Sequence, residues 1–354
     1  IPFTLLVIGL GLNMVVGLKS ANGLWTLAAS SALALALGAL WVINSWDYPA
    51  YLLLVLALLG LAVSSTDRSR LQKAALFPSL ALGVVVLSVL VFLPFHQVYE
   101  TFNAGISGTK WLTPVDSYVG IHGLFLFVVV TFLIHQSGRP LVNSFRGLIP
   151  GNIGALPEGH PRFGRFWKGL FILPGLAVLI YLLAAGFWTA AALTLLLLLT
   201  VQALWDVLAC DEPDRIYRAV PLLLLGMALA IGFGLDFVRL NGDIGRMNTL
   251  FKLYLEAWVF FSLATAFMLW YLGYQGWMRW RLGWWKAIWV VVLLALFASS
   301  LIYTGFGAKS RIADRFNDRP FTLDGTAYLN TAVHVEEERL LSLRSDLAGI
   351  RWLQ

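Results

Sequence analysis

Residues 74–94 read Ala74-Ala75-Leu76-Phe77-Pro78-Ser79-Leu80-Ala81-Leu82-Gly83-Val84-Val85-Val86-Leu87-Ser88-Val89-Leu90-Val91-Phe92-Leu93-Pro94, without a single charged side chain. About 20 apolar residues are what an α-helix needs to cross a hydrocarbon core. Similar stretches recur along the whole chain of 354 residues, of which 59% are hydrophobic and 12% charged. Soluble domains carry roughly 25% charge, so this composition could not be buried in water. The mean hydropathy of +0.78 agrees. The runs are apolar throughout and do not alternate, which excludes a membrane β-barrel. The fold class is therefore all-α, a polytopic transmembrane helical bundle.

Apolar runs bounded by charge, Gly or Pro give ten candidate spans, near 2–18, 24–43, 48–64, 74–94, 118–135, 169–187, 189–209, 218–236, 249–274 and 285–304. Loops on the cytoplasmic side of a membrane carry excess Lys and Arg. One alternate set of loops holds Lys19; Arg68, Arg70, Lys73; Arg139, Arg146, Arg162, Arg165, Lys168; Arg215, Arg218; and Arg279, Arg281, Lys286, whereas the other holds only Lys110, Arg239, Arg246 and Lys252. This asymmetry predicts an integral protein of the cytoplasmic membrane with both ends extracytoplasmic. Residues 1–304 read as the transmembrane domain and 305–354 as the start of an extracytoplasmic soluble domain. The chain opens in an apolar stretch without Met and closes in an amphipathic helical pattern, so it reads as a fragment. The net charge of +6 contains no basic block and implies no nucleic-acid partner. The segment 136–168 reads as a basic connector.

Three motifs fall on the outer set of loops. Asn44-Ser45-Trp46-Asp47-Tyr48-Pro49 is a tight turn with a carboxylate at the membrane boundary, a costly placement unless the group is solvated, paired or functional. It reads equally as a helix cap, Asn44 with Asp47, beside the aromatic pair Trp46 and Tyr48. His96 and Glu100, spaced four apart, would share one helical face and suit a divalent metal ion or a general base with its partner. The alternative there is an interfacial loop anchored by Phe95 and Tyr99. The third motif runs from Leu235 to Glu256. Asn241-Gly242-Asp243 predicts a turn and an N-cap, after which Arg246 and Lys252 sit near the positive end of a helix dipole. Cations placed there predict an anionic ligand such as a lipid phosphate. Asn248, Lys252 and Glu256 would form one polar stripe, and an internal Lys252–Glu256 pair is the structural alternative.

Several chemistries lack their residues. No Walker motif, His-Glu-x-x-His helix or Gly-x-Ser-x-Gly elbow is present. Five scattered histidines and one cysteine suggest no haem attachment and no disulfide.

Asn44-Ser45-Trp46-Asp47-Tyr48-Pro49, Phe92-Leu93-Pro94-Phe95 and Asp243-Ile244-Gly245-Arg246-Met247-Asn248-Thr249-Leu250-Phe251-Lys252-Leu253-Tyr254 together resemble the YYY-type integral membrane protein family, whose architecture is similar to that of GT-C glycosyltransferases. The resemblance implies a sugar transfer from a polyprenyl-phosphate donor, with the family's Asp-Leu-His-Pro-His motif, the principal base, lying just before Ile1. It implies that Asp47, His96 and Glu100 serve the chemistry. Trp46, Tyr48, Asp243, Arg246, Asn248 and Lys252 would bind substrate, with Arg246 and Lys252 on the donor phosphate.

The leading expectation is thus a GT-C-like membrane glycosyltransferase whose partners are a polyprenyl-phosphate-linked sugar, membrane lipid and a protein or lipid acceptor. No cofactor beyond a divalent metal ion is suggested. The competing readings are a transporter or flippase of polyprenyl or another anionic lipid, and a membrane scaffold.

Overall fold

The computed structural model describes residues 1–100, 105–147, 162–210, 214–274, 283–316, 322–336 and 339–353. Among these, each of the ten apolar stretches is helical. They are α1 (Pro2–Gly17), α2 (Gly23–Ile43), α3 (Asp47–Ser64), α4 (Arg70–Leu90), then, after the short α5 (Leu93–Val98), α6 (Val115–Gly147), α7 (Arg162–Ala184), α8 (Trp188–Ala209), α9 (Arg215–Gly234), α10 (Met247–Tyr274) and α11 (Trp284–Ile302). Eight described helices are long and apolar enough to span a membrane, and the shorter apolar pieces Pro2–Gly17 and Leu173–Ala184 add to them.

Helix ends differ from the apolar boundaries for identifiable reasons. α4 begins at Arg70 because Ser69 and Gln72 form a capping box, the Ser69 hydroxyl accepting from Gln72 N–H at 3.3 Å and Gln72 Oε1 accepting from Ser69 N–H at 3.0 Å. It stops at Leu90, four residues before Pro94, whose ring cannot continue the ladder and instead opens α5. α6 extends to Gly147 and α7 starts at Arg162, so much of the expected basic connector is helical. Charge ends a membrane span, but it does not end a helix. Residues 148–161 of that connector, and residues 275–282 with Arg279 and Arg281, lie outside the described residues.

The chain divides into two compact units, Ile1–Lys286 and Ala287–Gln354. In the first, α1 packs on α2 and α3, and α2 on α4; a second group has α9 against α8 and α10, and α6 against α8 and α10. The α3–α9 contact joins the groups. Tyr51, Leu54, Leu58, Leu33, Leu37, Phe260 and Phe261 are fully or almost fully buried at these seams. Close backbone approach, not water exclusion, holds helices together in lipid. Gly38 illustrates this, since a Cβ there would collide with the Ser88 carbonyl and the Phe92 ring.

Two small contacts sort the loops by end. At one end, β1 (Ile106–Gly108) pairs antiparallel with β2 (Val238–Leu240), Ser107 opposite Arg239. At the other, Lys19 and Asp67 form an exposed ion pair at 3.3 Å between the α1–α2 and α3–α4 connections. The second unit contains most of α11, α12 (Ala308–Phe316), an antiparallel hairpin of β3 (Val333–Glu336) and β4 (Arg339–Ser342), and α13 (Leu343–Leu353). Leu347 is the buried residue of α13, whose polar and apolar residues segregate by face.

Candidate functional site

The first motif is a turn locked from within. Asn44, in extended conformation, ends α2; its amide donates to Asp47 Oδ1 at 2.5 Å while Asp47 N–H donates to the Asn44 carbonyl at 3.0 Å. Asp47 is then the first residue of α3 and is buried, at the helix end where a negative charge is favoured. Trp46 is half-buried. Tyr48 is not an interfacial belt residue: it is 6% exposed, 4.4 Å from the Trp41 ring, and its hydroxyl lies 2.9 Å from Ser88 Oγ. Ser88 already donates to the Val85 carbonyl, so Tyr48 donates in this bond.

The second motif meets the first through aromatic contact. His96 stands edge-on to Trp41 at 4.8 Å and to Phe95 at 5.6 Å, with Nε2 buried and without a hydrogen bond. The shared His96–Glu100 face is not formed. α5 ends at Val98, Tyr99 turns extended and stacks on Phe95 at 4.7 Å, and Glu100 lies exposed beyond the helix. Among the described residues, no three His, Cys, Asp or Glu side chains converge, so a divalent metal ion has no ready ligand set here. Residues 101–104, which follow this motif and include Asn103, lie outside the described residues.

The third motif is joined to the second by the β1–β2 pair. Gly105, at φ 101°, accepts from Asn241 N–H at 3.2 Å in a conformation that glycine adopts without strain. Gly242 follows at φ 75°, and Asp243 caps α10 as expected. Its carboxylate accepts from Asn248 N–H at 3.0 Å, Thr249 N–H at 2.8 Å and the Thr249 hydroxyl at 2.6 Å. Partial burial pushes the Asp243 carboxyl upward, but these hydrogen bonds and one from Ile244 outweigh it and hold the group below its ordinary range. Asp243 is thus engaged as a helix cap.

Arg246 is buried and its charge is met within the chain. One guanidinium nitrogen donates to the Leu235 carbonyl at 2.6 Å and to Asp236 Oδ1 at 3.3 Å; the other donates to Thr113 Oγ1 at 2.8 Å. Asp236 also accepts from Thr113 N–H at 2.9 Å, and the Thr113 carbonyl accepts from Thr189 at 2.6 Å. This clamp fastens the start of α10 to the end of α9, the entry to α6 and the start of α8. The expectation of a ligand anion at Arg246 rested on an uncompensated cation, and Asp236 compensates it.

The polar stripe of α10 runs inward. Asn248 is exposed, Lys252 half-buried and Glu256 buried. Glu256 accepts a short hydrogen bond from the Tyr51 hydroxyl of α3, so the bond it makes is not the internal pair with Lys252. The Tyr51–Glu256 bond thus brings the head of α3, with Asp47 one turn before Tyr51, to the first turns of α10, with Lys252 one turn before Glu256. Sequence reading missed Tyr51, Thr113 and Asp236 as partners; Asp236 stood inside the third motif, but no local pattern marks Tyr51 or Thr113.

The helices and this cluster of boundary charges define a polytopic helical membrane protein. The chain belongs to the family described as uncharacterized membrane protein (DUF2298), whose model matches residues 1–261 and so includes all three motifs. No curated protein and no solved structure matches the chain.

Proposed function

We propose that this protein is a membrane glycosyltransferase that moves a sugar from a polyprenyl-phosphate donor to a protein or lipid acceptor at the extracytoplasmic face of the cytoplasmic membrane. The observation that carries the reading is the Tyr51–Glu256 hydrogen bond between α3 and α10, which sets Asp47, one turn before Tyr51, and Lys252, one turn before Glu256, at the bundle end where the three motifs meet. The loop charge asymmetry supports an outward direction for that end.

In this reading the acceptor hydroxyl gives its proton to a carboxylate, with Asp47 the candidate, and its oxygen attacks the anomeric carbon. The bond from that carbon to the phosphate oxygen breaks with inversion. Polyprenyl phosphate leaves, and Lys252 stabilises the negative charge that develops on it. Arg246 acts at one remove by fixing the start of α10. Trp46, Tyr48, His96, Glu100 and Asn248 are the candidates for lining the acceptor side, and no step runs through a metal.

The test is turnover of a radiolabelled polyprenyl-phosphate sugar by the full-length protein in lipid vesicles. Asp47→Asn is expected to lower turnover by about 10²–10⁴-fold, the usual worth of acid–base assistance. Lys252→Met is expected to lower it as well, with folding retained. Binding of the donor lipid without turnover by the parent protein would overturn the transferase and mark a carrier or flippase.

A further inference from the structure

α9 packs on both α3 and α8, and at the end of α3 opposite Asp47 the three helices line a groove of about 410 Å³. Its walls are Ala57, Gly60 and Leu61 of α3, Leu204 and Leu208 of α8, and Leu223 of α9. Leu61 is buried, Leu204 and Leu223 are half-buried and Leu208 is 38% exposed, so the groove opens outward beside α8. None of these six side chains carries a donor or an acceptor. A water held in a cavity needs roughly two to four polar partners, and these walls offer none from their side chains. An apolar filler suits them, and around membrane spans the apolar chain at hand is a lipid tail.

The polar lining is confined to one end of the groove. It consists of Ser64, the last residue of α3, and Arg215, the first of α9. The Ser64 hydroxyl donates to the Leu61 carbonyl at 2.7 Å, and the Ser64 carbonyl accepts from Lys73 Nζ at 2.8 Å. Lys73 thereby brings a second cation to the rim. Arg215 donates to the Cys210 carbonyl through one guanidinium nitrogen at 3.4 Å. A guanidinium carries five donors and an ammonium three, so each can hold a phosphate oxygen beside these carbonyls. The Asp67 carboxylate of the adjoining α3–α4 connection is paired with Lys19 at 3.3 Å.

We propose that this groove binds one acyl chain of an anionic phospholipid, whose headgroup phosphate is held at the rim by Arg215 and Lys73. The apolar walls set the tail and the two cations set the charge of the head. The excess of Lys and Arg on this set of loops supports placing the rim at the cytoplasmic leaflet, where anionic headgroups concentrate and basic pockets between membrane helices take them up. The lipid fills the seam at which the α3–α9 contact joins the two groups of helices. The proposal does not depend on the transferase reading, whose candidate base stands at the other end of α3.

Photolabelling of the full-length protein in phosphatidylcholine vesicles tests it, with a trace of phosphatidylglycerol that carries a diazirine in one acyl chain. The label is expected on Leu204, Leu208 and Leu223 several-fold more than from the same diazirine on phosphatidylcholine, and unlabelled phosphatidylglycerol is expected to displace it. Ala57→Trp fills the groove and is expected to remove the label. The double variant Arg215→Gln with Lys73→Gln leaves the apolar walls in place and is expected to bring phosphatidylglycerol labelling down to the phosphatidylcholine level. Equal labelling by the two probes in the parent protein would overturn the proposal and mark ordinary boundary lipid. A preference that survives in the double variant would overturn it too, as would displacement of the probe by polyprenyl phosphate at a lower mole fraction than by phosphatidylglycerol.

Discussion

Arg246 and Lys252 stand six residues apart at the start of α10, yet their charges are handled in opposite ways. Around Arg246 the chain supplies a full set of acceptors, Asp236, Thr113 and the Leu235 carbonyl, and buries them together. Near Lys252 stand two carboxylates, Asp47 and Glu256, the first held by the Asn44 amide and the second by the Tyr51 hydroxyl. The first arrangement is closed and rigid. The second holds each carboxylate through one neutral donor and leaves Lys252 half-buried at that end of the bundle. A cation near a helix N-terminus is thus no sign of a ligand until its partners are known.

The largest effect should come from opening the closed region. Asp236→Ala leaves the Arg246 guanidinium buried without its counter-charge, which is expected to cost about 3–5 kcal/mol. Thermal unfolding in lipid should register this as a collapse of stability. Lys252→Met in the same assay is expected to cost about 1 kcal/mol or less, as for a half-buried charge near the surface. Equal losses in the two variants would erase the distinction between the regions.

A smaller effect sharpens the second region. Tyr51→Phe removes the hydroxyl that Glu256 accepts and leaves a buried carboxylate short of a donor, for which about 1–3 kcal/mol is expected. Should Lys252 be the true partner of Glu256, the same substitution would change stability very little. Measured beside Lys252→Met, the pair of variants reports which group holds Glu256.

These contrasts mark the limit of what could be read from the sequence. The ten helices were legible because an apolar run of about 20 residues has few other places to go. The turn at Asn241-Gly242-Asp243 was legible because it is local, whereas the equally local capping box at Ser69–Gln72 lies outside the apolar run and was missed, so α4 starts at Arg70 and not near 74. The Tyr51–Glu256 bond and the Arg246–Thr113 bond join residues 205 and 133 positions apart, and no local periodicity records them. The His96–Glu100 pairing shows the converse error. Spacing of four is informative only where a helix persists, and Pro94 starts one that lasts six residues.

A smaller effect than that of Tyr51→Phe concerns Asp243, the one member of the third motif whose position and cap were both legible. Its carboxyl is held below its ordinary value of 3.8 by the donors of the first turn of α10. A group whose pKa is lowered by folding contributes stability that is complete above the unfolded value and disappears as pH falls through the folded one. The cap should therefore act in full at neutral pH and weaken only below about pH 4. Asp243→Ala is expected to lower stability by about 0.5–2 kcal/mol at pH 7, the usual worth of a helix cap. The gap between parent and variant should then narrow as the buffer is taken from pH 5 to pH 3. A gap that stays constant through this range would mean that the carboxylate charge contributes nothing, and that the loop geometry alone, through Gly242 and Gly245 at positive φ, sets the start of α10. Since Arg246 lies between this cap and the helix, the same measurement reports how firmly the clamp is held from its outer side.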